Sequence, residues 1–129
     1  MWMGRQMGRQ MSCQLEQKLQ EQYSFYLYSR GVLFCASAGG MRTNMRTAIK
    51  MKKAGYKKGY PDIFIYEPRG KYHGMAVEVK CGSYPTLEQK EWQEKLIKLG
   101  YYAIIVPAKL DFYEARKFLE DETRNYLSL

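Results

Sequence analysis

At 129 residues the chain is one domain with room for a real core, and its 21 Lys+Arg against 13 Asp+Glu leave a formal charge of +8 and a pI near 9.4. A surplus of that size points to a polyanion, either nucleic acid or an anionic membrane, and no apolar run approaches the ~18 residues that a membrane span needs. Three scattered cysteines (Cys13, Cys35, Cys81) without a CxxC exclude a zinc cage and fit a reducing compartment, while His73, the only histidine, excludes His-based metal clusters and disfavours a Ser-His-Asp triad.

Residues 1–11 contain Met-Gly-Arg-Gln twice and read as a disordered leader, an upstream start or an expression scar, leaving 12–129 as the domain. They hold no apolar stretch of the kind that makes a secretory signal. Ser12 is a plausible N-cap for a helix over 12–29, closed near Gly31. At ~100° per residue, Leu15, Leu19, Tyr23, Tyr26 and Leu27 form one stripe, and Glu16 lies within it whereas Glu21 points away. Glu16 is either a boundary residue reaching solvent or an acid aimed at a site under the helix. Residues 32–36 read as a strand and 37–40 as a turn. A second helix is predicted over 42–54, with Met41, Met45, Ile49 and the stem of Lys52 facing the core. Arg42, Arg46, Lys50 and Lys53 recur every three or four residues on one face, and Lys57 and Lys58 follow, a one-sign run that favours phosphate contact over a merely solvated face.

Two arms rich in β-branched and aromatic residues, 62–67 and 75–80, flank a Pro/Gly/charged turn and predict a β-hairpin. Period-2 alternation puts Met75, Val77 and Val79 on one face and Ala76, Glu78 and Lys80 on the other. After a loop over 81–85, Thr86 and Gln89 form a capping box opening a helix that ends before Gly100. Its stripe is Gln89, Trp92, Leu96 and Leu99, so Gln89 sits on the buried face and needs a partner, either nearby backbone or an active-site group. A strand over 101–106 follows, stopped by Pro107. Asp111 and Glu114 cap a last helix to about Tyr126, with Phe112, Ala115, Leu119 and Tyr126 facing in. The strand–helix–strand run implies a parallel pair. The sum is an α/β fold, a small mixed sheet flanked by helices in the order αβ-α-ββαβ-α.

Asp62 just after Pro61, beside Glu78 and Lys80 on the next strand, is a candidate metal site. Hard divalent cations such as Mg²⁺ take one or two carboxylates plus waters and substrate phosphate. Asp62 and Glu78 supply such carboxylates, and Lys80 is placed to orient or help deprotonate an attacking water. Without a cation, two adjacent acids should be mildly destabilising.

Pro61-Asp62, fifteen residues, then Glu78-Val79-Lys80 resembles the PD-(D/E)xK motif of restriction-endonuclease-like nucleases. With Lys52-Lys53-Ala54-Gly55-Tyr56-Lys57-Lys58-Gly59-Tyr60 before it and Leu87-Glu88-Gln89-Lys90-Glu91-Trp92 and Leu99-Gly100-Tyr101 after it, the chain resembles the VRR-NUC (virus-type replication-repair nuclease) domain over about residues 16–106. The resemblance implies a restriction-endonuclease-like core. It implies Asp62, Glu78 and the Val79 carbonyl as ligands of Mg²⁺ or Mn²⁺, with Lys80, Gln89 and Glu16 (in Glu-x-x-x-Gln with Gln20) as further catalytic residues. The 37–40 turn lacks the Asn-Gly that the family pattern has there.

Stand-alone, phage-type members imply a homodimeric Holliday-junction resolvase acting on branched DNA in the cytoplasm of a bacterium or a phage's host, with the aromatic first helix (Tyr23, Phe25, Tyr26, Tyr28) as the dimer surface. Rival expectations are a flap-directed or structure-nonspecific nuclease, a catalytically silent nucleic-acid-binding module, and a basic protein that binds by charge alone.

Overall fold

The computed structural model describes residues 2–37 and 44–129. Helices α1 (Trp2–Arg30), α2 (Met45–Lys53), α3 (Leu87–Lys98) and α4 (Phe112–Leu127) alternate with strands β1 (Phe34–Ala36), β2 (Ile63–Ile65), β3 (Met75–Glu78) and β4 (Tyr102–Ile105). The sheet runs β1-β2-β3-β4, antiparallel except for the parallel β3–β4 pair that α3 connects. This is the α/β architecture predicted, with a mixed four-stranded sheet.

The period of two decides the layers. Ile63, Ile65, Met75 and Val77 pair across β2 and β3 and face a core completed by Leu19, Tyr23 and Leu27 of α1 and Ala115, Leu119 and Tyr126 of α4. Their neighbours Phe64, Ala76 and Glu78 belong to the opposite face, which α3 covers over β3 and β4. β3 is therefore buried on both sides, as strands in a parallel pair usually are. The two helices of the core layer are joined by a buried relay: Thr123 Oγ1 donates to the Leu119 carbonyl at 2.7 Å, which leaves it to accept the Tyr23 hydroxyl at 2.6 Å. Tyr126 ties α4 to the hairpin by donating to the Glu67 carbonyl at 2.6 Å.

Several boundaries differ from expectation. α1 is helical from Trp2 rather than from Ser12, and it closes at Gly31, whose φ of +68° suits glycine. Leu15 lies at the exposed edge of its stripe. α2 starts at Met45 behind the Asn44 cap and buries no residue, with Met45 80% and Ile49 50% exposed, so the inward stripe predicted for it is overturned. Met45, Ile49 and Met51 are the only large apolar residues of this nine-residue helix and bury too little to hold four cations' worth of solvated face against the sheet. Met41, Arg42 and positions 38–40 of the expected turn lie outside the described residues. Leu99, expected inside, is 66% exposed because it caps α3 as the chain turns into β4.

The Tyr23–Thr123 relay makes an asymmetric prediction. Tyr23→Phe leaves Thr123 still donating to Leu119 and should cost about 0.5–1.5 kcal/mol. Thr123→Val strands the Tyr23 hydroxyl without an acceptor and should cost more, about 1–3 kcal/mol. Urea unfolding of both variants checks the order.

Candidate active site

The hairpin register builds the acidic pair. Ile63 is opposite Val77, so one step outward Asp62 stands opposite Glu78 on the same face of the sheet. Pro61 is buried and precedes the strand, where its missing N–H disturbs no ladder bond. Asp62 Oδ2 accepts the Val79 backbone N–H at 2.8 Å, which fixes its carboxylate against the end of β3. Glu78 is 5% exposed. Its Oε1 accepts from Gln89 Nε2 at 2.7 Å, and its buried Oε2 has no donor among the described residues.

Gln89 holds this arrangement because its amide is doubly committed. Its Oε1 accepts the Thr86 N–H at 2.8 Å and its backbone N–H donates to Thr86 Oγ1 at 3.2 Å, closing the capping box predicted for α3. With the oxygen occupied by the cap, the amide nitrogen is the end that reaches Glu78. Both alternatives for Gln89, a nearby backbone bond and a site partner, are thus realised at once.

Lys80 is 8% exposed, and its charge acts on both Asp62 and Glu78. It lines an open cleft of about 610 Å³ with Glu16, Ser12, Cys13, Ser83 and Tyr84. Glu16 Oε1 accepts the Cys81 N–H at 3.2 Å and the Ser83 hydroxyl at 2.5 Å. It is therefore turned inward to the 81–83 loop rather than out to solvent. Glu21 accepts from Gln17 on the exposed side of α1, and Gln20 is half-buried. Ser83 went unnoticed in sequence because a lone serine in a loop carries no periodic signal.

The electrostatics are those of two acids in a shared dry corner. Burial pushes the Glu78 carboxyl up to about 9, helped by the adjacent Asp62 charge. Burial also raises Asp62, against the lowering effect of the Val79 N–H. An unpartnered buried oxygen facing a second carboxylate calls for either a proton or a cation. Among the described residues no three His, Cys, Asp or Glu side chains converge, so the donor set is two carboxylates with main-chain and solvent oxygens. That set suits a hard divalent cation.

The second helix and the loop after it are basic. Arg46, Lys50 and Lys53 follow one another at i, i+4 and i+7 on α2, and none of them, nor Lys57, is in an ion pair among the described residues. Lys58 is the exception, 3.8 Å from Glu88. No helix among the described residues is long and apolar enough to cross a membrane.

The raised Glu78 pKa has a definite sign. The folded chain holds a proton between about 4.5 and about 9 that the unfolded chain has lost, so metal-free stability should fall as pH rises through that window. Glu78→Gln removes the group that must take up a proton on folding and should flatten the pH profile, so that the metal-free variant is more stable than wild type at pH 8. Thermal unfolding at pH 5 and 8 in chelator checks both, and an unchanged slope in the variant would count against the shared corner.

No protein-family model matches the sequence, and no curated protein is similar to it at a significant level. A solved structure described as a VRR_NUC domain protein is similar to it, with 33% sequence identity, a TM-score of 0.59, and 74% of this chain and 68% of that chain covered. That likeness in sequence and fold, over a chain whose hairpin carries Pro-Asp…Glu-x-Lys, shows that this protein belongs to the VRR-NUC family of nuclease domains.

Proposed function

We propose that the chain is a Mg²⁺- or Mn²⁺-dependent endodeoxyribonuclease that hydrolyses phosphodiester bonds in branched DNA, a four-way junction foremost, as a homodimer. The observation that carries the hydrolase reading is the pair of a half-buried Asp62 and a buried Glu78 whose Oε2 has no donor, with the charge of Lys80 acting on both. A structural ion pair would have been completed by the protein itself. Here one Glu78 oxygen is left without a donor.

In this reading Asp62, Glu78 and the Val79 carbonyl would hold the cation, which would neutralise phosphate charge and acidify water. The chain's own groups do the rest. The Gln89 amide keeps Glu78 Oε1 occupied, so Oε2 is the oxygen free to face the cation. Lys80 Nζ orients the attacking water and carries charge to the phosphate as one P–O bond forms and another breaks. Glu16 fixes the 81–83 loop beside that lysine through Cys81 and Ser83, and is the acid nearest the cleft for the departing proton. Arg46, Lys50, Lys53, Lys57 and Lys58 contact phosphates further along the strand, with Arg42 in the same run by sequence.

The dimer reading rests on exposure. Tyr23 is buried and Tyr26 half-buried against the core, so they leave the dimer surface expected on α1, whereas Phe25, Tyr28 and Leu33 are largely exposed beside the edge strand β1. One chain offers one acidic site, and symmetric cutting of a junction takes two.

Cleavage of a labelled four-way junction, with flap and linear duplex controls, separates the outcomes. Paired symmetric nicks in the junction, abolished by Asp62→Ala while binding persists, are expected. Cutting of flaps or plain duplex would keep the active site and replace the junction reading with a flap-directed or nonspecific nuclease. Binding without cutting of any substrate would leave a silent module. For the basic face, replacing Arg46, Lys50 and Lys53 by Gln should lower the salt dependence of DNA binding by up to about 0.9 per lost phosphate contact. An unchanged slope would remove α2 from the interface.

A further inference from the structure

A second concavity shares no lining residue with the acidic pair and takes no part in the hydrolytic step above. It lies between the end of α2 and α3, encloses about 330 Å³, and is lined by Ser37, Gly55, Tyr56, Lys57, Tyr60 and Trp92. Three of its six lining residues, Tyr56, Tyr60 and Trp92, are aromatic. Tyr60 and Trp92 meet edge to face with ring centroids 5.2 Å apart and planes at 79°.

The placement is tied to the catalytic groups by short covalent routes. Tyr60 is separated from Asp62 by Pro61 alone, about 7 Å of extended chain. Trp92 follows Gln89 at i+3 on α3, and so stands one turn from the amide that holds Glu78. The loop bearing Tyr60 is seated firmly on α3: Gly59 has φ +90°, and a Cβ there would come within 2.6 Å of the Glu88 backbone. Only glycine lets this loop approach so closely, and the approach brings Tyr60 onto Trp92.

We infer that this cleft takes one unpaired nucleobase of the substrate strand, next to the phosphate held at Asp62 and Glu78. The inference rests on the nuclease reading and narrows its substrate class to DNA with an unstacked nucleotide beside the cut. Flat apolar walls suit a base, whose face is π-rich and uncharged, and Lys57 at the rim suits the phosphate attached to it. A base inside a duplex is already stacked and paired, and cannot enter without being extruded. A branch point supplies such a base at little cost.

The test uses the full chain carrying Asp62→Ala, so that no cutting intervenes, and Trp2→Phe, so that Trp92 is the single tryptophan. The titrants are a short single strand, the same strand with every base removed, and a blunt duplex, compared at equal phosphate concentration. Trp92 emission should be quenched by the single strand and little changed by the other two. Tyr60→Leu should weaken single-strand binding about 5- to 150-fold, the value of one stacked base, and leave duplex binding within about twofold. Tyr60→Phe, which keeps the ring, should retain the affinity and guards against a folding defect. Equal quenching by the abasic strand, or equal weakening of single strand and duplex by Tyr60→Leu, would overturn the inference. Because none of these readings needs hydrolysis, they stand or fall separately from the cleavage assay.

Discussion

Two carboxylates set opposite each other at one end of a buried hairpin are the constraint on which the rest of this structure depends. The antiparallel register of β2 and β3 fixes their opposition, and the burial of β3 on both faces removes the water that would otherwise screen them. Every neighbouring element then has a task relative to that pair. The end of β3 gives Asp62 a backbone N–H, the cap of α3 aims Gln89 at Glu78, and α1 brings Glu16 to the loop beyond Lys80. Glu78 Oε2 is left buried without a donor. Proteins rarely leave a buried acceptor unpaired without a use for it.

The distribution of charge over the chain follows from the same centre. A formal +8 spread evenly would indicate only solubility and general affinity for polyanions. Here the cations that lack carboxylate partners gather chiefly on α2, which buries no residue. A helix that buries no residue and carries a one-sign face suits the phosphate contact proposed for it. The acidic pair adds what charge alone does not: two convergent carboxylates of the donor type that a hard divalent cation takes.

What the sequence made legible was whatever depends on local periodicity. The hairpin was readable because Met75, Val77 and Val79 alternate with Ala76, Glu78 and Lys80 between two clear turns. The start of α3 was readable because a capping box is a four-residue code, realised by Thr86 and Gln89. Membership of the VRR-NUC family was readable from the Asp62…Glu78-Val79-Lys80 spacing with its basic approach, and agrees with the structural likeness. What stayed hidden depends on neighbours distant in sequence. The exposure of Met45 and Ile49 was missed because amphipathicity predicts a face, not whether another element exists to cover it. The environment of Glu16 was left open because helix geometry gives its direction, while Ser83, sixty-seven positions away, decides its partner. The Tyr60–Trp92 contact joins a loop to a helix and has no sequence signature beyond the glycine before Tyr60.

Direct measurement of divalent-cation binding tests the central claim most simply. Mn²⁺ titration of the full chain, followed by electron paramagnetic resonance of the free ion, should show saturable binding at neutral pH that is greatly weakened in Glu78→Gln and in Asp62→Ala. Undiminished Mn²⁺ binding in both variants, or none in the wild type even with DNA present, would mean that the buried acidic pair is not a metal site and that the catalytic account built on it is wrong.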